Sequence, residues 1–242
     1  CSLINTFTVH VDSITHSLSP NIPRAAFREL NLDFAHIGYW IAKGELESGV
    51  DRLKRINTSW FNVTIPHKIA MLKYVDKMDA SCSIIGAVNT VVNNEGKLKG
   101  YNTDMDGFLE PLKKRNISIK DKKILLIGAG GAARAIIAGM SKEKAEEVDI
   151  ANRTTKNAEE LSEFATRIGL STNVKKIEEI KNFQNYNIII TSTSLGLKNK
   201  TSPISFEQLN HDSVIYDLVY SPLNTDFPIQ AKATQIELHY GS

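Results

Sequence analysis

The sequence predicts an α/β fold in two domains, an N-terminal α/β domain over 1–103 and a doubly wound parallel sheet over 104–242. Three observations carry this. Short apolar runs of strand length alternate with helical patterns, which calls for layered α/β packing. A second series of such units begins near Lys120, after a helix from about Met105 to Arg115 that bridges the halves, so the boundary falls between Thr103 and Asp121. In that second half the run Ile124-Leu125-Leu126-Ile127 passes directly into a glycine-rich turn and then a helix, the opening of a βαβ unit.

The elements follow in order. Leu46, Val50 and Leu53, at i, i+4 and i+7, predict a helix from about Glu45 to Ile56. Trp60 to Ile65 alternates like a strand. Pro66 then suits the first turn of a helix whose apolar face is Ile69, Met71, Leu72 and Val75. Ala87 to Val92 and Lys97 to Tyr101 read as strands joined by the turn Asn93-Asn94-Glu95-Gly96. In the second half, Arg134 to Ser141 is helical, and Val148 to Ala151, Ile188 to Ile190, Val214 to Tyr216 and Ile236 to Leu238 are strands.

Composition narrows the function. At 42% apolar and 23% charged, the 242 residues are those of an ordinary globular protein. With 29 Lys and Arg against 27 Asp and Glu, the net charge of +2 argues against a nucleic-acid or membrane-surface protein. The longest apolar stretch, Ile124 to Met140, is glycine-rich and interrupted by Arg134, short of the roughly 20 residues a membrane span needs. No charged-then-apolar signal segment opens the sequence. Two cysteines, Cys1 and Cys82, are too few for a disulfide framework or a zinc cluster and fit a reducing, cytoplasmic setting. Cys82 reads as a buried small residue. The histidines at 10, 16, 36, 67, 211 and 239 are scattered and suggest no metal site.

Gly128-x-Gly130-x-x-Ala133 has the G-x-G-x-x-G/A form, between a strand and a helix, where that motif is informative. Gly128 allows the tight turn. Gly130 lets backbone approach a pyrophosphate. Ala133 lets helix and strand pack closely. The phosphates then meet N–H groups and the positive end of the helix, so a Rossmann-type dinucleotide site is expected over Gly128, Ala129, Gly130, Gly131 and Ala132. The next strand ends at Asn152-Arg153-Thr154, with Lys156 beyond it. A protein selective for NAD carries an acid near this point. Here a guanidinium stands there instead, suited to gripping a 2′-phosphate, with Asn152 and Thr154 adding neutral hydrogen bonds. NADP(H) is therefore expected over NAD, the alternative being that Arg153 and Lys156 are only solvated charges.

Three polar clusters in the first half sit where strands end. In His16-Ser17-Leu18-Ser19-Pro20 the two serines point the same way in extended backbone and suit one oxyanion, or else form a serine-rich turn. In Asn62-Val63-Thr64-Ile65-Pro66-His67-Lys68 the lysine falls in the first turn of a helix, where the dipole disfavours a cation. That setting suits a proton-passing lysine, against the plainer reading of a surface charge. His67 is expected on the surface. Asp104, in Asn102-Thr103-Asp104, is either a reacting carboxylate or a helix cap. Asn89 is a polar residue in an apolar run and requires partners. Together these groups suit a polyhydroxylated acid whose hydroxyl is oxidised by hydride transfer, with Lys68 and Asp104 handling the proton.

In this order Ser17-x-Ser19-Pro20, Asn62 to Lys68, Gly86-Ala87-Val88-Asn89-Thr90, Gly100-Tyr101-Asn102-Thr103-Asp104, the glycine turn and Asn152-Arg153-Thr154 are highly specific. The chain resembles the shikimate dehydrogenase family from about Thr8 to Tyr220. The resemblance implies NADPH-dependent reduction of 3-dehydroshikimate to shikimate, a step towards aromatic amino acids. It implies a monomer or homodimer with a small-molecule substrate. It implies Ser17, Ser19 and Tyr220 at the substrate carboxylate, Thr64 and Asn89 at ring hydroxyls, Lys68 and Asp104 as the catalytic pair, and Arg153 with Thr154 at the 2′-phosphate. Four features depart from the family pattern. Val11 stands for a glycine, Pro23 for a histidine and Thr191 for an asparagine. The family's helices bearing a substrate-binding glutamine would follow the segment that ends here at Ser242. The alternatives are a quinate/shikimate dehydrogenase using NAD, or a catalytically impaired nucleotide-binding homologue.

Overall fold

The structure, a computed structural model, describes residues 6–10, 27–31, 36–64, 66–180, 182–192, 209, 213–218 and 238–240. The expectations for Val11, Ser17, Ser19, Pro23 and Tyr220 lie outside the described residues. The chain divides into two compact units, Cys1–Thr103 and Asp104–Ser242. The helix expected to bridge the halves belongs to the second.

The first unit is a six-stranded mixed sheet. In chain order it contains β1 (Thr6–His10), β2 (His36–Trp40), α1 (Leu46–Arg55), β3 (Trp60–Val63), a 3-10 turn (Ala70–Lys73), β4 (Lys77–Met78), α2 (Ala80–Ile85), β5 (Thr90–Asn94) and β6 (Lys97–Tyr101). The strand order is β2-β1-β3-β5-β6-β4. β1 runs parallel to β2 and β3, while β5 is antiparallel to both β3 and β6.

Its core is one apolar cluster in which Leu46, Val50 and Leu53 of α1 meet Phe61, Val63, Val91 and Leu98 of the sheet. Gly49 lets α1 approach, since a Cβ there would come within 2.3 Å of Ile41 Cδ1. The β5–β6 hairpin closes at Glu95 and Gly96, with φ of 51° and 84°, the left-handed pair that a two-residue hairpin turn requires. Asn93 Oδ1 accepts from the Gly96 N–H at 2.8 Å. Cys82 is buried, and desolvation pushes its thiol up to about 11.

Two expected elements differ. The helix starting at Pro66 is a run of turns leading into the 3-10 segment Ala70–Lys73. An α-helix would bond the Leu72 N–H to the Lys68 carbonyl, but Leu72 donates to Ile69 O at 3.2 Å and the Lys68 carbonyl accepts from Val88 N–H at 2.8 Å. The same bond explains why the strand expected from Ala87 starts only at Thr90.

The second unit is an all-parallel sheet. It contains α3 (Asp104–Lys114), β7 (Lys123–Ile127), α4 (Ala133–Lys142), β8 (Glu147–Ala151), α5 (Thr155–Arg167), β9 (Thr172–Lys175), β10 (Ile188–Thr191), β11 (Val214–Asp217) and β12 (Leu238–Tyr240). Its order, β9-β8-β7-β10-β11-β12, is the doubly wound Rossmann arrangement, which reverses direction between β7 and β10. Strands covered on both faces need continuous apolar runs, and Ile124 to Ile127 are fully buried. Leu125, Ile127, Ala151, Ile189 and Ile215 form one face of the core together with Phe183 and Tyr186. Among the described residues no helix is long and apolar enough to cross a membrane.

Candidate functional site

In the first unit the polar motifs converge on the segment Ala87–Asn89. Asn89 is buried, and its backbone ties two strand ends together: its carbonyl accepts from Val63 N–H at 2.7 Å, and its N–H donates to Tyr101 O at 3.0 Å. Its side chain forms a reciprocal pair with Thr103. Nδ2 donates to Thr103 Oγ1 at 3.0 Å, and Oδ1 accepts from Thr103 N–H at 3.0 Å. The same Oδ1 accepts from Thr90 Oγ1 at 2.9 Å, and Thr90 Oγ1 in turn accepts from Asn62 Nδ2 at 3.2 Å. A buried amide directly before β5, an interior strand, is thereby satisfied, and it locks the residue that precedes Asp104.

Lys68 is half-buried and leaves the sheet on a backbone fixed at both sides. His67 N–H donates to Thr64 O at 2.9 Å, and the Lys68 carbonyl is held by Val88. His67, expected at the surface, is buried at 3% exposure with Nε2 3.0 Å from Ile41 O. Only a tertiary partner 26 positions away could have announced that burial. The dipole argument for Lys68 loses its basis with the missing α-helix. What sets this lysine is the anchoring of its neighbours.

Residues 100–103 are held in series. Gly100 O accepts from Asp79 N–H at 3.0 Å. Tyr101 O is held by Asn89, and Asn102 N–H donates to Ser81 Oγ at 3.1 Å. Asn102 is buried, and its Nδ2 donates to Ala87 O at 3.0 Å. Asp104 then opens α3, with Asp106 beside it in the first turn, where carboxylates complement the dipole. Thr64 is half-buried directly after β3, four positions before Lys68. Ser81 and Asn102 carry part of this architecture, and the motifs alone did not single them out. The signal available was Asp79-x-Ser81 ahead of a short apolar helix, an N-cap pattern.

The second unit presents a different surface. Gly128 has φ of 113°, open only to glycine, and its N–H donates to Ala151 O at 2.8 Å. Gly130 and Gly131 are exposed, and the nearest described atom to a Cβ on Gly130 would be Ser192 O at 3.9 Å. Ala133 is fully buried against the sheet, as close helix–strand packing demands. No side chain caps α4; the Ala133 and Ala135 N–H groups donate to Gly130 O and Ala132 O, and the positive end of the helix faces the glycine turn. Ser192 closes the switch point: its N–H donates to Ile127 O at 2.8 Å and its hydroxyl to Gly128 O at 3.2 Å.

Beyond β8, Asn152 Nδ2 donates to Thr154 O at 2.9 Å and shapes the turn that carries Arg153. Arg153, Thr154 and Lys156 are exposed, and no side chain caps α5. Positive side chains, no acid, an uncapped helix and an open glycine turn fit a dinucleotide bearing an extra phosphate. Thr191, which replaces the family's asparagine, is buried and donates to Asp217 Oδ1 at 2.5 Å, joining the ends of β10 and β11.

A model of the shikimate dehydrogenase substrate binding domain matches residues 9–91, and one of shikimate / quinate 5-dehydrogenase matches residues 111–211. A shikimate dehydrogenase (NADP(+)) of Nitrosopumilus maritimus is 59% identical over 237 residues, covering 98% of this chain and 87% of the relative. The Thermus thermophilus shikimate 5-dehydrogenase, solved with NADP(H) and shikimate, superposes with a TM-score of 0.85 at 33% identity, covering 98% of this chain and 87% of that one. The Listeria monocytogenes enzyme, solved with shikimate and NAD, gives 0.89 at 29% identity, covering 100% and 87%.

Proposed function

The chain belongs to the shikimate dehydrogenase family, and from that premise we propose how its own residues divide the work of the reaction. The protein is an NADP(H)-dependent shikimate dehydrogenase, interconverting 3-dehydroshikimate and shikimate. The bound cofactor supplies or accepts the hydride at the ring carbon. Gly128 to Ala132 hold its pyrophosphate on the uncapped start of α4, and Arg153, with Asn152, Thr154 and Lys156, takes the 2′-phosphate.

Lys68 donates a hydrogen bond to the carbonyl oxygen and delivers the proton as the ketone becomes a hydroxyl. Asp104 accepts hydrogen bonds from the Lys68 ammonium and the substrate hydroxyl and orients both, and in oxidation the same path is retraced, with the Lys68 amine taking the hydroxyl proton. Thr64 and Asn89 bind ring hydroxyls, while Ser17, Ser19 and Tyr220 receive the substrate carboxylate. The observation that carries this reading is the shared anchor. The Lys68 carbonyl is bonded to Val88 and the Thr103 amide to Asn89, so adjacent residues fix both the lysine loop and the residue preceding the carboxylate.

The test is the absorbance of reduced cofactor formed from shikimate with NADP and, separately, with NAD. Faster turnover per KM with NADP is expected, by about tenfold for one bidentate charge-assisted contact. Equal or better use of NAD contradicts the role given to Arg153 and favours the quinate/shikimate reading.

A further inference from the structure

We propose that Ser81, oriented by Asp79, is a positioning residue for Asp104. The inference rests on the reading of Asp104 as catalytic and extends it to a side chain that touches neither substrate nor cofactor in that scheme.

Ser81 stands at the second position of α2, whose N-cap is Asp79. Asp79 Oδ1 accepts from Ser81 N–H at 2.8 Å, the ordinary capping bond. The same oxygen also accepts from the Ser81 hydroxyl, which a cap does not require. That bond fixes the hydroxyl proton on Asp79 and turns an Oγ lone pair outward, where it receives the Asn102 N–H at 3.1 Å. The Ser81 bond and nearby Lys99 help hold the Asp79 carboxyl below its ordinary range, so it stays an acceptor.

Asn102 is only 3% exposed, so its amide must find a protein partner, and that partner is Ser81. The neighbouring anchors are a backbone bond at Gly100 and the Asn89 bonds at Tyr101 and Thr103. Ser81 therefore clamps the strand exit leading into Asp104, alongside the Asn102 side chain, whose Nδ2 donates to Ala87 O. A catalytic group displaced by about 1 Å can lose up to about 100-fold in rate, so the clamp has leverage out of proportion to its stability.

The experiment is a cycle of Ser81→Ala, Asp104→Asn and the double variant, read as kcat and KM for shikimate. Ala at 81 keeps the cap, because its amide still reaches Asp79. We expect Ser81→Ala to lower kcat about tenfold and to cost less than about twofold in the Asp104→Asn background. The same loss in both backgrounds, or a lowered melting temperature with kcat unchanged, overturns the proposal. An Asp104→Asn variant with normal kcat sinks the underlying catalytic reading instead. Should Ala loosen α2, the shape-matched pair Ser81→Thr and Ser81→Val isolates the hydroxyl. Thr should restore kcat to within about twofold and Val should not. Equal kcat in that pair refutes the role.

Discussion

The two units build their polar edges by opposite means. In the first, the ends of β3 and β6 and the loop bearing Lys68 are crowded with side-chain amides and hydroxyls whose partners are found within the protein, from Asn62 and Thr90 through Asn89 to Thr103 and Ser81. In the second, the turn after β7 works by lacking side chains: Gly130 and Gly131 leave backbone exposed, and no side chain caps α4. On the proposed function, the difference follows from the two ligands. Proton transfer needs groups held to a fraction of an ångström, which takes a braced frame. A pyrophosphate needs N–H groups and room, which any Cβ or capping side chain would take away.

The contrast can be broken first by asking whether the second unit has a brace of its own. It does, away from the glycine turn. Asp149, fully buried in β8, accepts from Lys175 Nζ at 2.6 Å, from Asn173 Nδ2 at 2.9 Å and from the Tyr186 hydroxyl. Burial pushes the Asp149 carboxyl up, but these donors outweigh it and hold it below its ordinary value. Asp149→Ala removes the buried acceptor that Lys175, Asn173 and the Tyr186 hydroxyl share and should cost about 3 kcal/mol in urea unfolding. A depressed carboxyl contributes its stability above the unfolded value, near about pH 4, and loses it as pH falls through the folded one. The gap between wild type and variant should therefore close in acid. A loss below about 1 kcal/mol at neutral pH would mean that no such brace exists.

The second way sharpens the contrast at the cradle. A Cβ on Gly130 has only ordinary contact with Ser192, so Gly130→Ala should fold with unchanged or slightly higher melting temperature. It should nonetheless raise KM for NADPH by about 50-fold, because the methyl group occupies the phosphate's approach. Unchanged KM would show that the turn does not meet the pyrophosphate. The smallest effect belongs to Arg153→Ala, expected to raise KM for NADPH about tenfold and leave that for NADH unaltered. Parallel changes with both cofactors would remove the 2′-phosphate from its role.

Much of the second unit could be read from sequence because its elements obey local rules. Ile124 to Ile127 is an unbroken apolar run, and the glycine turn has a fixed spacing. Even α5, not assigned from sequence, carries a readable stripe in Ala158, Leu161, Phe164 and Ala165. β9 was less accessible, because Thr172-Asn173-Val174-Lys175 puts polar residues on an edge beside the Asp149 cluster. In the first unit the sequence offers candidate site residues but not the way they are held. The bonds from Val88 to Lys68, His67 to Ile41 and Asn102 to Ser81 join positions about 20 or more apart and override the local helical pattern after Pro66. The family was legible in short motifs, while the way their residues are held rests on tertiary hydrogen bonds that no window of sequence contains.

The proposed role of Lys68, moving the proton at the reacting oxygen, is best probed by single-wavelength turnover of shikimate and NADP in wild type and Lys68→Ala. A kcat lower by about 1,000-fold is expected, with KM for NADP within about twofold. A variant that turns over at close to the wild-type rate would contradict it.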